Sequence, residues 1–348
     1  MIRRDRSAVG CVACGAIMDY SQVGLRFNSF SLENWPRQPS FATFGGSIMQ
    51  LDVHGVRGSH PVPGPATVRA GGNTTCYSVT FGHHRIVLDA GTGIIALGKQ
   101  MVREHLASKE PIFVTLLISH THHDHTQGFP FFAPVYFGTT HMHMYGPNTN
   151  YLEIEEALSQ GLAAPFFPVN LSEMQCMKHI SPISDADELL FFADSREPVL
   201  RNIHHGAPPG REPIGRVRVM KGYNHPKNGV LHFRIESGNH SIVYATDTEG
   251  YEGGDERLIR FAKDCDILVH DAQYLPEEYV SGPLPRQGWG HSTWKMACDV
   301  ARRANAKTLL LHHHDPERTD DAVDAIEAAA RAVFPGAQAA REGMSITA

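Results

Sequence analysis

The segment Ile118-Ser119-His120-Thr121-His122-His123-Asp124-His125-Thr126-Gln127-Gly128 gathers four imidazoles and a carboxylate on the loop leaving an apolar run. Neutral imidazole is the commonest protein ligand for a transition metal. The HxHxDH spacing suits two adjacent ions, because His120 and His122 can serve one while Asp124 and His125 turn to the other. Each ion then needs a third ligand, and the pair needs a shared oxygen donor. His225, in Asn224-His225-Pro226, and His313, in Leu311-His312-His313-His314-Asp315, can fill the first need; Asp247, in Thr246-Asp247-Thr248, can fill the second. Singly each has a plainer reading, His225 as a turn residue before proline and Asp247 as a turn cap at a strand end. Jointly they describe a dinuclear centre, and two close divalent cations lower the pKa of a shared water until hydroxide is available near neutral pH.

Such residues must be aimed by a rigid frame. From Met49 onward short β-type runs alternate with helical patterns, which predicts an α/β architecture. Strands are expected at 76–80, 85–88, 112–118, 141–145, 217–221, 231–235, 242–245, 267–269 and 308–311, and helices at 94–106, 255–263, 293–304 and 321–333. Thr319 is placed to cap the last helix and Ser292 the one before it. Residues 1–48, broken by Asn28, Ser29, Pro36 and Pro39, read as an irregular extension, and 49–348 as the folded domain. A faint internal echo pairs Ile86–Gly93 with Ile242–Gly250, and the strand entering His120 with the strand entering His312. It predicts two similar halves that deliver polar residues at the carboxyl ends of strands, where ligands of α/β sheets collect.

Composition narrows the classes. The chain has 348 residues, 42% hydrophobic and 20% charged, with 22 histidines and a formal charge of -6. That is ample material for a core, and no basic run exists to track a long phosphate backbone. No stretch of eighteen apolar residues offers a membrane span. Cys76, Cys176, Cys265 and Cys298 read as buried thiols, and the Cys11/Cys14 pair lacks partners for a zinc knuckle. The opening Arg-rich and apolar stretch makes a poor secretion signal, interrupted by Gly10 and Gly15, so a cytoplasmic location is expected.

These motifs resemble those of the metallo-β-lactamase superfamily. Leu88-Asp89-Ala90-Gly91-Thr92-Gly93 is similar to its first motif, the histidine loop to its second, the His225 segment to its third, Tyr244–Gly250 to its fourth and Leu311–Arg318 to its fifth. Gly288-Trp289-Gly290-His291-Ser292-Thr293 resembles the His-Ser-Thr motif of the ribonuclease Z-like phosphodiesterase branch, and the stretches at 55–59, 71–74, 128–132 and 340–343 resemble a bacterial subgroup of uncharacterised or cyclic-nucleotide-type hydrolases. The resemblance covers about Gly55 to Gly343. It implies a four-layer αββα sandwich, with His120, His122 and His225 on one metal and Asp124, His125 and His313 on the other. Asp247 would bridge the two, and Asp89 would position the histidine loop. His314 stands as the alternative to His313. The metals implied are two divalent ions, zinc first, with manganese or iron able to substitute.

The resemblance also implies a reaction. His291 becomes the proton donor to a departing alkoxide, with Asp271 orienting it. Ribonuclease Z proteins that process transfer RNA carry an RNA-gripping arm between the third and fourth motifs; residues 226–246 leave no length for one. The expected function is therefore hydrolysis of a small phosphodiester such as a 3′,5′-cyclic nucleotide, with Arg57, Asn73 and Thr74 as phosphate donors on Gly-rich loops or, equally, as parts of supporting turns. The alternatives are an RNA 3′-end nuclease without the arm, an acyl hydrolase of lactonase or β-lactamase type, and a non-catalytic nucleotide sensor. The stretches 164–168 and 189–192 can cover a cleft, fill the core or pack on a second subunit, so a homodimer stays open.

Overall fold

The computed structural model describes residues 48–148, 152–205, 210–251, 253–281 and 284–348. The extension read at 1–48 therefore lies outside the described residues apart from Ile48, as does the Cys11/Cys14 pair. Among the described residues the β-branched and aromatic runs assemble into two mixed sheets. The first contains β1 (Gln50–Gly55), β2 (Cys76–Phe81), β3 (His84–Leu88), β4 (Ile112–Leu117), β5 (Thr140–Pro147) and β6 (Met177–Ile183) in sequence order. The second contains β7 (Asp187–Phe191), β8 (Val199–Asn202), β9 (Gly215–Gly222), β10 (Val230–Ser237), β11 (His240–Ala245), β12 (Ile267–Asp271), β13 (Thr308–His312) and β14 (Ala337–Ala339). Its spatial order is β14-β13-β12-β11-β10-β9-β7-β8, and β15 (Ser345–Thr347) returns to pair with β1 in the first sheet.

Side chains alternate across each sheet, so every strand feeds two cores. Leu51, Val53, Tyr77 and Val79 meet Phe191, Phe233, Ile235 and Tyr244 between the sheets. Val87, Val114, Leu116, Met142 and Met144 on the other face of the first sheet pack on α1 (Ile94–Ser108) and α3 (Ile154–Gly161). Val243, Leu268, Leu309 and Leu311 pack on α4 (Glu256–Phe261), α6 (Trp294–Ala304) and α7 (Asp320–Val333). The result is an αββα sandwich, completed by the single turn α2 (His123–Thr126) and the short α5 (Pro276–Val280). The four cysteines in the described residues are free and buried. No helix among the described residues is long and apolar enough to cross a membrane.

Two local expectations change. Thr319 caps α7 through Ala322 N as read, but α6 is capped by Thr293, whose hydroxyl accepts from Met296 N. Ser292 instead donates to Thr248 O at 2.5 Å and accepts from Gly250 N at 2.9 Å, tying the two active-edge loops together. The internal echo is real in topology but shifted by one strand. An antiparallel β2–β3 pair followed by parallel β4 and β5 is matched by antiparallel β10–β11 followed by parallel β12 and β13. Asp89 and Asp247 are therefore counterparts, whereas the strand entering His120 corresponds to β12 and not to the one entering His312.

Candidate metal centre

Five strand ends converge on one edge of the sandwich. Asp89 follows β3, Ser119 and His120 follow β4, Asp247 follows β11, Asp271 closes β12, and His313 follows β13. Asp89, Asp247 and His313 have φ of 60°, 47° and 62°, a left-handed conformation that turns each side chain out of its strand's alternation and into the cleft. Asp and His tolerate this region better than branched residues, and such strain concentrates at functional sites.

The ligand candidates form two groups that share Asp247, His120/His122/His225 and Asp124/His125/His313, in each of which the donor atoms lie within 4.8 Å of one another. Asp247 divides its oxygens between them. Its Oδ2 lies 3.5 Å from His120 Nε2 and 3.6 Å from His225 Nε2, while its Oδ1 lies 3.2 Å from both His125 Nε2 and His313 Nε2. One carboxylate thus faces both groups. Asp124 Oδ2 is 3.1 Å from His313 Nε2 and accepts from Ser59 N at 2.7 Å.

The far side of each ring selects its tautomer. His125 Nδ1 donates to Asp89 Oδ2 (2.8 Å), His225 Nδ1 to Gly290 O (2.9 Å) and His313 Nδ1 to Gln273 Oε1 (3.0 Å). Ser119 gives its own proton to Asp89 and lies 3.1 Å from His120 Nδ1. In these four rings Nε2 is therefore the nitrogen that faces the cleft. His122 is turned the other way, with Nδ1 3.1 Å from His225 Nε2. Asp89 is the hub of the arrangement: buried between the sheets, it also accepts from Ser119 N and Tyr244 Oη, both at 2.7 Å.

Electrostatics ask for cations here. Burial lowers His225 to about 4 and pushes His120 well below its ordinary range, so both rings are neutral ligands. Burial would likewise lower His313 and raise Asp247, yet their mutual attraction wins. With Asp124 adding to it, His313 rises to about 9, while His125, His313 and His120 hold Asp247 well below the usual carboxylate range. His120 Nε2 and His125 Nε2 are buried without a hydrogen-bond partner. Two buried carboxylates, neutral imidazoles and unpartnered nitrogens aimed at one another fit a pair of divalent ions.

Beside this cluster His291 Nδ1 bonds Asp271 Oδ2 at 2.6 Å, and its ring stacks on His313 with centroids 4.8 Å apart. Asp271 is itself fixed by Gln273 N and Ser292 N. Glu249, which the sequence reading passed over, is buried and clamps the loop carrying His291. It accepts from Tyr279 Oη at 2.6 Å, Gly288 N at 2.7 Å and Gly290 N at 2.9 Å. That clamp also sets the Gly290 carbonyl that orients His225. An ideal Cβ on Gly290 would lie 2.4 Å from His225 Nδ1, so only glycine permits the approach. Ser119, Gln273 and Tyr244 were likewise missed, since nothing in their spacing marks them as neighbours of the histidines.

The expected phosphate donors are not available as such. Arg57 is fully buried, and its guanidinium donates to the carbonyls of Gly71 and Arg318, each at 2.7 Å. Thr74 is also fully buried, its hydroxyl engaged with Thr92 N and Gln127 Nε2. Asn73 spends its amide on Glu342 at 2.8 Å. All three brace the loops under the site, the supporting role that was the other reading. His314, the alternative ligand, bonds Ala340 O at 2.9 Å on the far side from the cluster. Residues 189–192 fill the core through β7, whereas Phe166 is exposed.

Fold and centre together define a hydrolase of the metallo-β-lactamase type, and the comparisons agree. The chain matches the beta-lactamase superfamily domain over residues 84–314 and belongs to that superfamily of metal-dependent hydrolases, with ribonuclease Z-like relatives. It is 26% identical over 272 residues to ribonuclease Z of Thermococcus kodakarensis, which covers 69% of this chain and 78% of that protein. Among solved structures it is similar to the metallo-beta-lactamase fold protein YhfI from Bacillus subtilis, with a TM-score of 0.58 and 21% identity over 86% of this chain and 100% of that one. A diphosphatase from the PhnP family gives a TM-score of 0.56 at 16% identity, covering 86% and 97%.

Proposed function

We propose that this chain is a dinuclear metal-dependent phosphodiesterase acting on a small phosphodiester of the 3′,5′-cyclic nucleotide class. His120, His122 and His225 would hold one divalent ion, and Asp124, His125 and His313 the other, with one oxygen of Asp247 directed at each. Zinc suits the donor set best, and manganese or iron can substitute because mixed imidazole and carboxylate sites select weakly. Bound there, the ions would supply a hydroxide nucleophile near neutral pH and neutralise charge on the phosphoryl oxygens.

The observation that carries the reading is the Asp271–His291 pair beside the cluster. Asp271 accepts a hydrogen bond from His291 Nδ1, which leaves Nε2 as the nitrogen that would hand a proton to a leaving alkoxide. The ribonuclease Z relatives support phosphodiester chemistry and favour an RNA 3′-end nuclease as the second reading. Against long RNA stand the formal charge of -6 and the short connection from His225 to Asp247, which β10, β11 and their turns fill.

The test is a panel of bis(p-nitrophenyl) phosphate, cyclic nucleotides, short RNA and lactones on metal-loaded protein, with His291→Ala alongside. The variant should keep both metals and lose on the order of 10²- to 10⁴-fold on a cyclic nucleotide, whose alkoxide leaves poorly, and far less on the p-nitrophenyl ester. Equal losses on both would move His291 from proton donor to support, and lactone hydrolysis alone would replace the reading with an acyl hydrolase.

A further inference from the structure

The loop that Glu249 clamps presents two side chains that the chemistry above does not use. Trp289, two residues before His291, is 44% exposed, an unusual expanse of indole to leave in water. Arg286 lies over it, its Cζ 4.4 Å from the indole centroid and 5.7 Å from the Tyr274 ring. Tyr274 in turn packs edge-on against His291, with centroids 5.8 Å apart. A chain of contacts therefore runs from the proposed acid to a flat cationic and aromatic surface at the rim. Arg286 makes no ion pair or side-chain hydrogen bond with a carboxylate among the described residues. The Arg257–Tyr223 pair differs in this respect: Arg257 lies 5.4 Å from the Tyr223 ring, but its guanidinium is already shared with Asp185 and Lys221 O. The pinned backbone of Gly288 and Gly290 holds the Trp289 surface in place before any ligand arrives, which lowers the ordering cost of binding.

We infer that Arg286 and Trp289 form the subsite for the nucleoside portion of the substrate, with the base stacked on the indole and guanidinium planes and the phosphate carried toward His291. The inference rests on the phosphodiesterase reading and narrows it from small diesters in general to nucleotide diesters. Stacking on aromatic and guanidinium faces is the interaction that every base can make, so the subsite selects for a nucleoside without selecting strongly among bases. A planar guanidinium suits this role better than an ammonium would.

Two substrates with one leaving group separate the terms: the p-nitrophenyl ester of thymidine 5′-phosphate and methyl p-nitrophenyl phosphate. The wild type should favour the thymidine ester. Trp289→Ala should lower the ratio of kcat/KM for the thymidine ester over the methyl ester by about ten- to a hundredfold, expressed in KM, and Trp289→Phe should keep most of it. Arg286→Ala should lower the ratio less. Thymidine 5′-phosphate should also quench tryptophan fluorescence in the wild type and not in Trp289→Phe, a readout independent of turnover. A ratio unchanged in Trp289→Ala, or no preference in the wild type, overturns the subsite while leaving the phosphodiesterase reading intact. Hydrolysis of neither diester overturns that reading, and the subsite with it.

Discussion

At the scale of single residues the centre depends on how each side chain's second polar atom is occupied. An imidazole offers Nε2 to the cleft because its Nδ1–H is already spoken for, by Asp89, by the Gly290 carbonyl or by Gln273. Asp247 has no spare oxygen: Oδ1 faces His125 and His313, and Oδ2 faces His120 and His225. Asp247→Ala removes the one donor common to both groups. Elemental analysis of that variant should return less metal from both halves, and turnover should fall to background. Normal occupancy with normal rates would show that the two groups do not share this carboxylate.

Elements act as clamps on those residues. Glu249 sits two residues beyond Asp247 and holds the Gly288–Gly290 backbone with two hydrogen bonds and Tyr279 with a third, so one carboxylate sets the Gly290 carbonyl on His225 and the start of α6 behind His291. Glu249→Gln replaces one of the two acceptor oxygens by a donor, which sets an N–H group of Gly288 or Gly290 against it. Zinc affinity should fall on the order of ten- to a hundredfold, as for other partners of metal-binding histidines, and the rate on cyclic nucleotides should fall with it even at saturating zinc. Loss of affinity alone, with full activity restored by zinc, would confine Glu249 to the His225 side. The sequence singled out Asp247 and His291 but not Glu249, because a glutamate before a glycine looks like an ordinary turn residue until the fold brings the His291 loop onto it.

For the whole molecule the buried histidines away from the centre contribute to the acid limb of stability, alongside carboxylates such as Glu236 and Asp266 that, against the effect of burial, ion pairing holds below their ordinary range. His84 is buried, its Nε2 donating to Phe192 O at 3.0 Å, and burial lowers it to about 4. It stays neutral in the fold while the unfolded chain takes up a proton below about 6.5, so its contribution is full above that pH, declines as pH falls toward 4, and changes little further below. His84→Gln keeps an amide donor for Phe192 O without the titration. Urea midpoints at pH 7.5, 5.5 and 4.5 should show the gap between wild type and variant closing or reversing as pH falls; a constant gap would mean that His84 ionises alike in both states. His54, lowered by burial to about 4, adds a term of the same sign.

The α/β class, most strands and the histidines and carboxylates that the fold gathers into one cluster were legible in the sequence. The nine expected strands and the four expected helices stand within one or two residues of their predicted bounds, because their apolar period and their caps are local properties. β1, β7 and α3 were missed, as were the edge strands β6 and β8 and the three-residue β14 and β15. Pro182 interrupts β6, and pieces so short become strands only when a neighbour supplies the hydrogen bonds. The same division runs through the site. Spacing within the HxHxDH loop names ligands because a few residues of chain fix their separation. The division of the Asp247 oxygens, the choice of ring nitrogen, the burial of Arg57 and Thr74 as braces and the grip of Glu249 on the His291 loop depend on contacts between residues far apart in sequence. Those distances exist only once two sheets have packed face to face and brought five strand ends to one edge.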